Sequence, residues 1–316
     1  MNKNPLLSII VPVFNTKEFI NRMVYSLQDN LGSIQYEIII VDDGSSDGSA
    51  ELCDTLAKEN GRIKVFHKEN GGVASARNLG IEMALGQFIM FLDSDDYVNA
   101  NINSVIEKIN ESDLLVTNAI IVNNGVEKEK CWIKKEKLFK NNELHKFIKE
   151  SLDNSVCNKV FKLDIIKSNN LHFENYKNAE DMLFVLNYMK HVKDVYAIPI
   201  SYYFYDIRSG SAMTAMNPQK ILDAISACND AYKSAEKCDR RIKIALEKFI
   251  SRTAFFTLKM YSRLEQKCKK DVVETFRQNK KIFKRISNLK TMIVKVSLML
   301  FGFRITLNLL EKFIKE

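Results

Sequence analysis

Residues 36–45 read Tyr36-Glu37-Ile38-Ile39-Ile40-Val41-Asp42-Asp43-Gly44-Ser45, and residues 88–96 read Phe88-Ile89-Met90-Phe91-Leu92-Asp93-Ser94-Asp95-Asp96. Each is a short apolar run that ends in carboxylates. A run of this kind is a strand buried on both faces of a parallel sheet. Open α/β sheets hold their ligands at the carboxyl ends of such strands. Both acidic clusters are therefore expected on one rim of one sheet. Carboxylates gathered there repel each other unless a cation lies between them. Hard oxygen donors suit Mg²⁺ or Mn²⁺, which keep waters and also bind substrate phosphates. The two stretches predict a metal-assisted site for a phosphorylated ligand.

Around these runs the front of the chain alternates strand and helix. Strands are expected at Leu7 to Phe14, Tyr36 to Asp42, Ile63 to His67 and Phe88 to Leu92. Helices are expected at Lys17 to Asn30, Ser49 to Asn60 and Val73 to Leu85. Short loops between them imply right-handed crossovers. From Ile102 the pattern weakens. It gives a helix, a strand near Leu114 to Val122, a polar loop, and a helix near Glu143 to Leu152. Further helices start at Leu163 and span Glu180 to His191, with strands at Val195 to Ile198 and Ser201 to Asp206. From Pro218 onward everything reads helical, which sets a domain boundary near Ala215 to Pro218: 1–215 for the α/β domain and 216–316 for a basic helical region. No GxGxxG follows the first strand, which argues against a dinucleotide-binding domain, and no P-loop motif is present.

The bulk numbers are those of a globular protein. The chain has 316 residues, 46% hydrophobic and 27% charged. Its six cysteines form no CxxC pair and read as reduced thiols of a cytosolic protein. Met1 to Pro5 lead straight into a strand, so no signal peptide is expected. The net charge of +8 is uneven: from Lys220 onward 23 Lys and Arg face 10 Asp and Glu, while the rest carries 24 against 29. A basic tail behind a mildly acidic front suggests that the tail meets an anionic surface.

Four segments then narrow the reading: Ser8-Ile9-Ile10-Val11-Pro12-Val13-Phe14-Asn15, Val41 to Gly48, Asn70-Gly71-Gly72-Val73-Ala74-Ser75-Ala76-Arg77-Asn78, and Phe91 to Asp96. In this order and spacing they resemble the family 2 inverting glycosyltransferases of the GT-A fold, over roughly residues 6 to 215. The resemblance implies a Rossmann-like, mostly parallel sheet flanked by helices. It implies that Pro12, Val13, Phe14 and Asn15 line the nucleotide base and ribose, and that Asp43 accepts from the uracil N–H while Asp42 holds the loop. Arg77 would reach the base or diphosphate, with Asn78 fixing its loop. Asp93, with Ser94 beside it, would take the ribose or the metal, and Asp95 would ligate the metal directly. Asn178-Ala179-Glu180-Asp181-Met182-Leu183-Phe184 resembles the family's E-D-x-x-F segment, with Asp181 as catalytic base and Glu180 orienting the acceptor. Tyr205 to Ser211 resembles the loop that closes over the diphosphate through Arg208 and Ser211.

These roles suit the chemistry. Inverting transfer needs one base on the acceptor hydroxyl and one electrophile on the leaving diphosphate. A bidentate Arg adds a clamp that Lys does not supply. One departure concerns the third metal ligand. Many relatives have a His near the Arg-Ser loop, but none lies between Ser201 and Thr214, so Asp206, or diphosphate and water, would complete the shell. Trp132 reads equally as a sugar-stacking residue and as packing. His67 and His172 read as ordinary surface or core residues.

The tail from Ile286 to Ile314 places apolar residues three and four apart, flanked by Lys and Arg. Lys295 and Arg304 argue against a spanning helix, at about 2.5–3.5 kcal/mol each at the bilayer centre. A basic helix in the membrane interface is expected, with packing on the enzyme body or a coiled-coil seam as alternatives. The resulting expectation is a UDP-sugar-dependent glycosyltransferase acting on a glycan acceptor carried by a lipid diphosphate. It would make a surface polysaccharide, peripheral on the cytoplasmic face of the membrane. Transfer to a teichoic-acid-like polymer or a protein is the alternative within the class. A non-catalytic nucleotide or nucleic-acid binding module is the alternative outside it, and no nucleic-acid-reading motif supports that one.

Overall fold

The computed structural model describes residues 4–32, 34–207, 217–261, 264 and 269–283. Arg208, Ser211, Cys268 and the amphipathic tail from residue 284 lie outside the described residues. The chain forms two compact units. The first comprises Met1–Glu143, Ser155–Asn175 and His191–Arg208; the second comprises Leu144–Asn154, Tyr176–Lys190 and Ser209–Glu316.

The first unit is built on a 10-stranded sheet. Strands β1 (Leu7–Val13), β2 (Tyr36–Asp42), β3 (Ile63–His67) and β4 (Phe88–Phe91) alternate with helices α1 (Lys17–Leu31), α2 (Ser49–Glu59) and α3 (Val73–Met83). These four strands pair in parallel in the order β3-β2-β1-β4. Every residue of β1, β2 and β4 is buried, as their unbroken apolar runs require. Glu37, near the start of β2, is buried among donors. Ser8 Oγ donates to Oε1 at 2.6 Å, Leu85 N to Oε1 at 2.8 Å, and Lys64 Nζ to Oε2 at 2.6 Å. Burial pushes its carboxyl up, but the bonds from Lys64, Ser8 and Leu85 outweigh that and hold it below the usual range. Helix α3 seats against β1 at Gly80, where an added Cβ would lie 2.3 Å from Ile10 Cγ2.

Beyond β4 the sheet becomes mixed. It continues with β5 (Tyr97–Val98), β6 (Leu114–Asn123), β7 (Val126–Lys130), β8 (Lys137–Lys140), β9 (Lys159–Lys162) and β10 (Asp194–Ile207). Strand β9 runs antiparallel between β4 and β6, and β10 pairs with β6 in parallel. Two reversals across β9 give β6 and β10 the direction of β4, so all these carboxyl ends share one rim. Helix α4 (Ile102–Glu107) precedes β6, and α6 (Leu163–Ser168) follows β9. The helix between them, α5 (Leu144–Glu150), belongs to the second unit.

Two details depart from the sequence pattern. The segment read as a polar loop after Val122 contains β7 and β8. Strand β7 is an exposed edge of alternating Glu and Lys, entered through Asn124 and Gly125 at φ of 50° and 76°. Positive φ at both positions is the geometry of a tight hairpin. The two strands expected at 195–206 are one, with its ladder interrupted between Ile198 and Ser201. Pro199 has no N–H to give there.

The second unit is helical in its described residues. It contains α5, α7 (Glu180–Met189), α8 (Pro218–Ala235), α9 (Arg240–Tyr261) and α10 (Lys269–Gln278). Asn217 caps α8 by accepting from Lys220 N at 3.0 Å, and Pro218 takes the first turn. Ile221, Ile225, Cys228, Leu246, Phe249 and Ile250 are buried. Arg252 of α9 donates to the Ile148 and Leu152 carbonyls at 3.2 and 3.1 Å, closing the end of α5. No helix among the described residues is long and apolar enough to cross a membrane.

Candidate active site

The carboxyl ends of β1, β2 and β4 place both acidic clusters on one rim. The register aligns Val13 with Asp42 and Ile10 with Phe91, two residues before Asp93. Asp42 and Asp43 are each 3% exposed and hold different structures. Asp42 accepts from Ser45 N at 3.1 Å and meets His67 Nδ1 at 3.0 Å. The other ring nitrogen of His67 lies 3.1 Å from Asp54. These two carboxylates raise the His67 pKa, Asp42 more than Asp54. Asp43 takes three donors: Gly71 N at 2.9 Å and Lys68 Nζ at 2.6 Å on Oδ1, and Gly72 N at 2.7 Å on Oδ2. Gly72 has φ of 86°, which allows its N–H to turn toward the carboxylate. A carboxylate offers about four lone-pair sites, so Oδ2 keeps one for a ligand N–H.

The loop after β1 closes the same edge. Pro12 and Val13 are buried, and Phe14 is 49% exposed. Asn15, at φ of 52°, accepts from Ser46 N at 2.8 Å and donates its own N–H to Ser45 Oγ at 3.0 Å. Thr16 Oγ1 lies 2.8 Å from Ser94 Oγ, which ties this loop to the second cluster.

Arg77 is 3% exposed. Its Nη2 donates to Asp93 Oδ1 at 2.9 Å, and its guanidinium lies 5.3 Å from the centre of the Phe173 ring. Asn78 pins Phe173 with two bonds of 2.8 Å, accepting from its N and donating to its carbonyl. Asp96 is 1% exposed; it accepts from Asp206 N at 2.8 Å and from the Tyr203 hydroxyl. Burial first, then the charges of Asp93 and Asp95, raise its carboxyl well above the usual range.

The structure thus brings together Pro12, Val13, Asn15, Asp43, Arg77, Asn78, Asp93, Ser94 and Asp95 in the first unit. Glu180 and Asp181 open α7 in the second unit, behind Ala179 at φ of 68°. Three contributors escaped the sequence reading. Lys68 binds Asp43, Asp96 anchors the acidic turn, and Arg22 binds the Asp95 carbonyl at 2.5 Å and Asp206 at 2.8 Å. Asp206, considered above as a third metal ligand, is therefore held by Arg22. Among the described residues no three His, Cys, Asp or Glu side chains gather closely enough to cage a metal. The donor set fits a cation that takes one or two carboxylates and completes its shell with phosphate and water. A separate cavity of about 620 Å³ lies by Gly86, Asp113, Lys162 and Asp194. It opens at the opposite ends of the strands, so it is not part of this rim.

The family model for glycosyl transferase family 2 matches residues 8–169. The chain belongs to that family. Poly(ribitol-phosphate) beta-N-acetylglucosaminyltransferase TarP of Staphylococcus aureus is 30% identical over 73% of this chain and 72% of its own length. The uncharacterized glycosyltransferase EpsJ of Bacillus subtilis is 48% identical over 30% of this chain. Over such shorter matches the chain spans 28–36% of the length of its curated relatives. Among solved structures, S. aureus TarS in complex with UDP-GlcNAc superposes with a TM-score of 0.74 at 21% identity, over 88% of this chain and 81% of that one. The mannosyltransferase PcManGT of Pyrobaculum calidifontis, in complex with GDP-Man and Mn²⁺, gives 0.55 at 12% identity, over 100% and 89%. The likeness to TarS confirms the GT-A fold.

Proposed function

We propose that the protein is an inverting glycosyltransferase that moves a sugar from a UDP-sugar to a hydroxyl of a glycan acceptor, with Mg²⁺ or Mn²⁺. The observation that carries this reading is the rim where Asp43, Asp93 and Asp95 follow the ends of parallel strands, with Arg77 of α3 donating to Asp93. Asp43 would receive the uracil N–H on its remaining Oδ2 site. Phe14, with its exposed ring, would lie along the base, and Pro12, Val13 and Asn15 would shape the ribose pocket. Arg77 would reach the base or the diphosphate, with Asn78 fixing its loop through the Phe173 backbone, and Asp93 and Ser94 would take the ribose side. A cation held by Asp95 and Asp93 would stabilise charge developing on the diphosphate. Asp181 would take the acceptor proton as the new glycosidic bond forms and the bond from C1 to the diphosphate breaks. Glu180 would orient the acceptor, and Arg208 and Ser211 would clamp the leaving UDP.

The acceptor is proposed as a glycan on a lipid diphosphate, made for a capsule or a similar surface polysaccharide. Residues 1–215 would bind the donor, and the basic region 216–316 would lie on the anionic cytoplasmic face of the membrane. The likeness to TarP over most of the chain favours a second reading, a polyol-phosphate polymer as acceptor. The basic region would then bind that polymer directly. UDP release from a panel of UDP-sugars, with each acceptor class and with or without Mn²⁺, tests both readings. A nucleotide-binding module would release no UDP.

A further inference from the structure

Arg22 lies on α1, on the face that borders the acidic turn, and joins two separate segments. Its Nη2 donates to the Asp95 carbonyl at 2.5 Å, and its Nη1 pairs with Asp206 Oδ2 at 2.8 Å. The guanidinium is seated over the Tyr97 ring at 4.5 Å and lies 5.7 Å from the Phe19 ring. The turn is closed internally by Asp96 N donating to the Asp93 carbonyl at 3.1 Å. Asp206 stands near the end of β10, two residues before Arg208.

We propose that Arg22 is a positioning residue that holds the Asp93–Asp96 turn against the end of β10, so that the Asp95 carboxylate keeps its place for the cation. The inference rests on the proposed role of Asp95 as metal ligand. The planar fork is essential to it. One guanidinium reaches a carbonyl and a carboxylate from two separate nitrogens held in one plane while stacking on an aromatic ring; a Lys ammonium donates from a single point and has no plane to stack. Arg22 and Asp206 are 41% and 21% exposed at their side chains, so the pair adds little to stability. Its effect lies in fixing the backbone of a ligating residue. Partners of this kind are worth roughly 10–100-fold in metal affinity.

The test is calorimetric titration of the full chain with UDP, with and without Mn²⁺. Wild type, Arg22→Met, Arg22→Lys, Asp206→Ala and Asp95→Ala are compared, each with its thermal unfolding midpoint. Arg22→Met is expected to leave metal-free UDP affinity and the midpoint near wild type. It should reduce the Mn²⁺ enhancement of UDP binding by roughly 10–100-fold. Arg22→Lys should fall between the two. Asp206→Ala breaks the same link from the other side, and a loss of enhancement there supports the inference even if Arg22→Met fails to fold. Full Mn²⁺ enhancement in Arg22→Met or Asp206→Ala, with that enhancement lost in Asp95→Ala, overturns the inference alone. Equal weakening of UDP binding with and without Mn²⁺ in Arg22→Met also overturns it. Full enhancement in Asp95→Ala overturns the ligand assignment and the inference with it.

Discussion

Replacing Asp43 with Asn probes whether the nucleotide edge is built around a carboxylate. The side chain takes Gly71 N and Lys68 Nζ on one oxygen and Gly72 N on the other. An amide has one oxygen and one NH₂, so either orientation sets a donor against a donor. With the NH₂ toward Gly72, one bond is lost; with it toward Gly71 and Lys68, two are. Each bond to a charged group is worth about 1.5–3 kcal/mol. Gly71 and Gly72 are exposed, and water recovers part of that loss. The net cost is expected to be about 1–3 kcal/mol, which would displace the loop leading to Arg77. UDP affinity should then fall roughly 5–150-fold, the equivalent of that energy. Ala, which loses all three bonds, should be more damaging than Asn. Calorimetric titration with UDP, paired with chemical denaturation, measures both quantities. An Asn variant that binds UDP within about twofold of wild type would refute the reasoning.

Asp181→Asn should keep UDP affinity while kcat falls by about 10²–10⁴-fold, the worth of a positioned base; near-normal transfer in a radiolabelled-sugar assay would show that Asp181 only favours the start of α7. His67, between Asp42 and Asp54, has a raised folded pKa. Its stabilising effect is therefore fully present below its unfolded value of about 6.5 and is lost as pH rises through the folded value. The midpoint gap between wild type and His67→Gln in urea should be widest below about pH 6.5 and narrow as pH rises above it, and a gap independent of pH contradicts the ion pairing. Gly80→Ala should destabilise by about 1–3 kcal/mol despite the better helix former, because the new methyl would meet Ile10; denaturant titration showing a gain in stability would place α3 further from β1.

The parallel half of the sheet was legible because β1, β2 and β4 are buried on both faces. Their apolar runs stand out, and their bounds agree with the sequence to within a residue or so. The mixed half was not. Strand β9 has only Val160 and Phe161 between lysines, and β5 has two residues. Strand β7 exposes its side chains as an edge, so no apolar alternation marks it, although Asn124-Gly125 was a readable hairpin signal. In the site, Asp43, Arg77 and Asp93 stood out as motif residues. Arg22 did not, because one Arg on the polar face of an amphipathic helix looks like any solvated side chain. Its partners Asp95 and Asp206 are 73 and 184 residues away, a pairing set by topology alone. Asp96 reads as the last residue of a charged turn, and only its burial beside Tyr203 reveals its anchoring role.

The most direct test of the central claim is transfer itself. The purified chain is incubated with a panel of UDP-sugars, Mn²⁺ and either a lipid-diphosphate-linked glycan or poly(ribitol phosphate). UDP release and the anomeric configuration of the product are then read by coupled assay and NMR. Acceptor-dependent UDP release from at least one UDP-sugar, inversion at C1, and loss of turnover in Asp95→Ala are expected. Tight UDP binding with no release above background for any donor and acceptor, or a product that retains the donor's configuration, would contradict the claim.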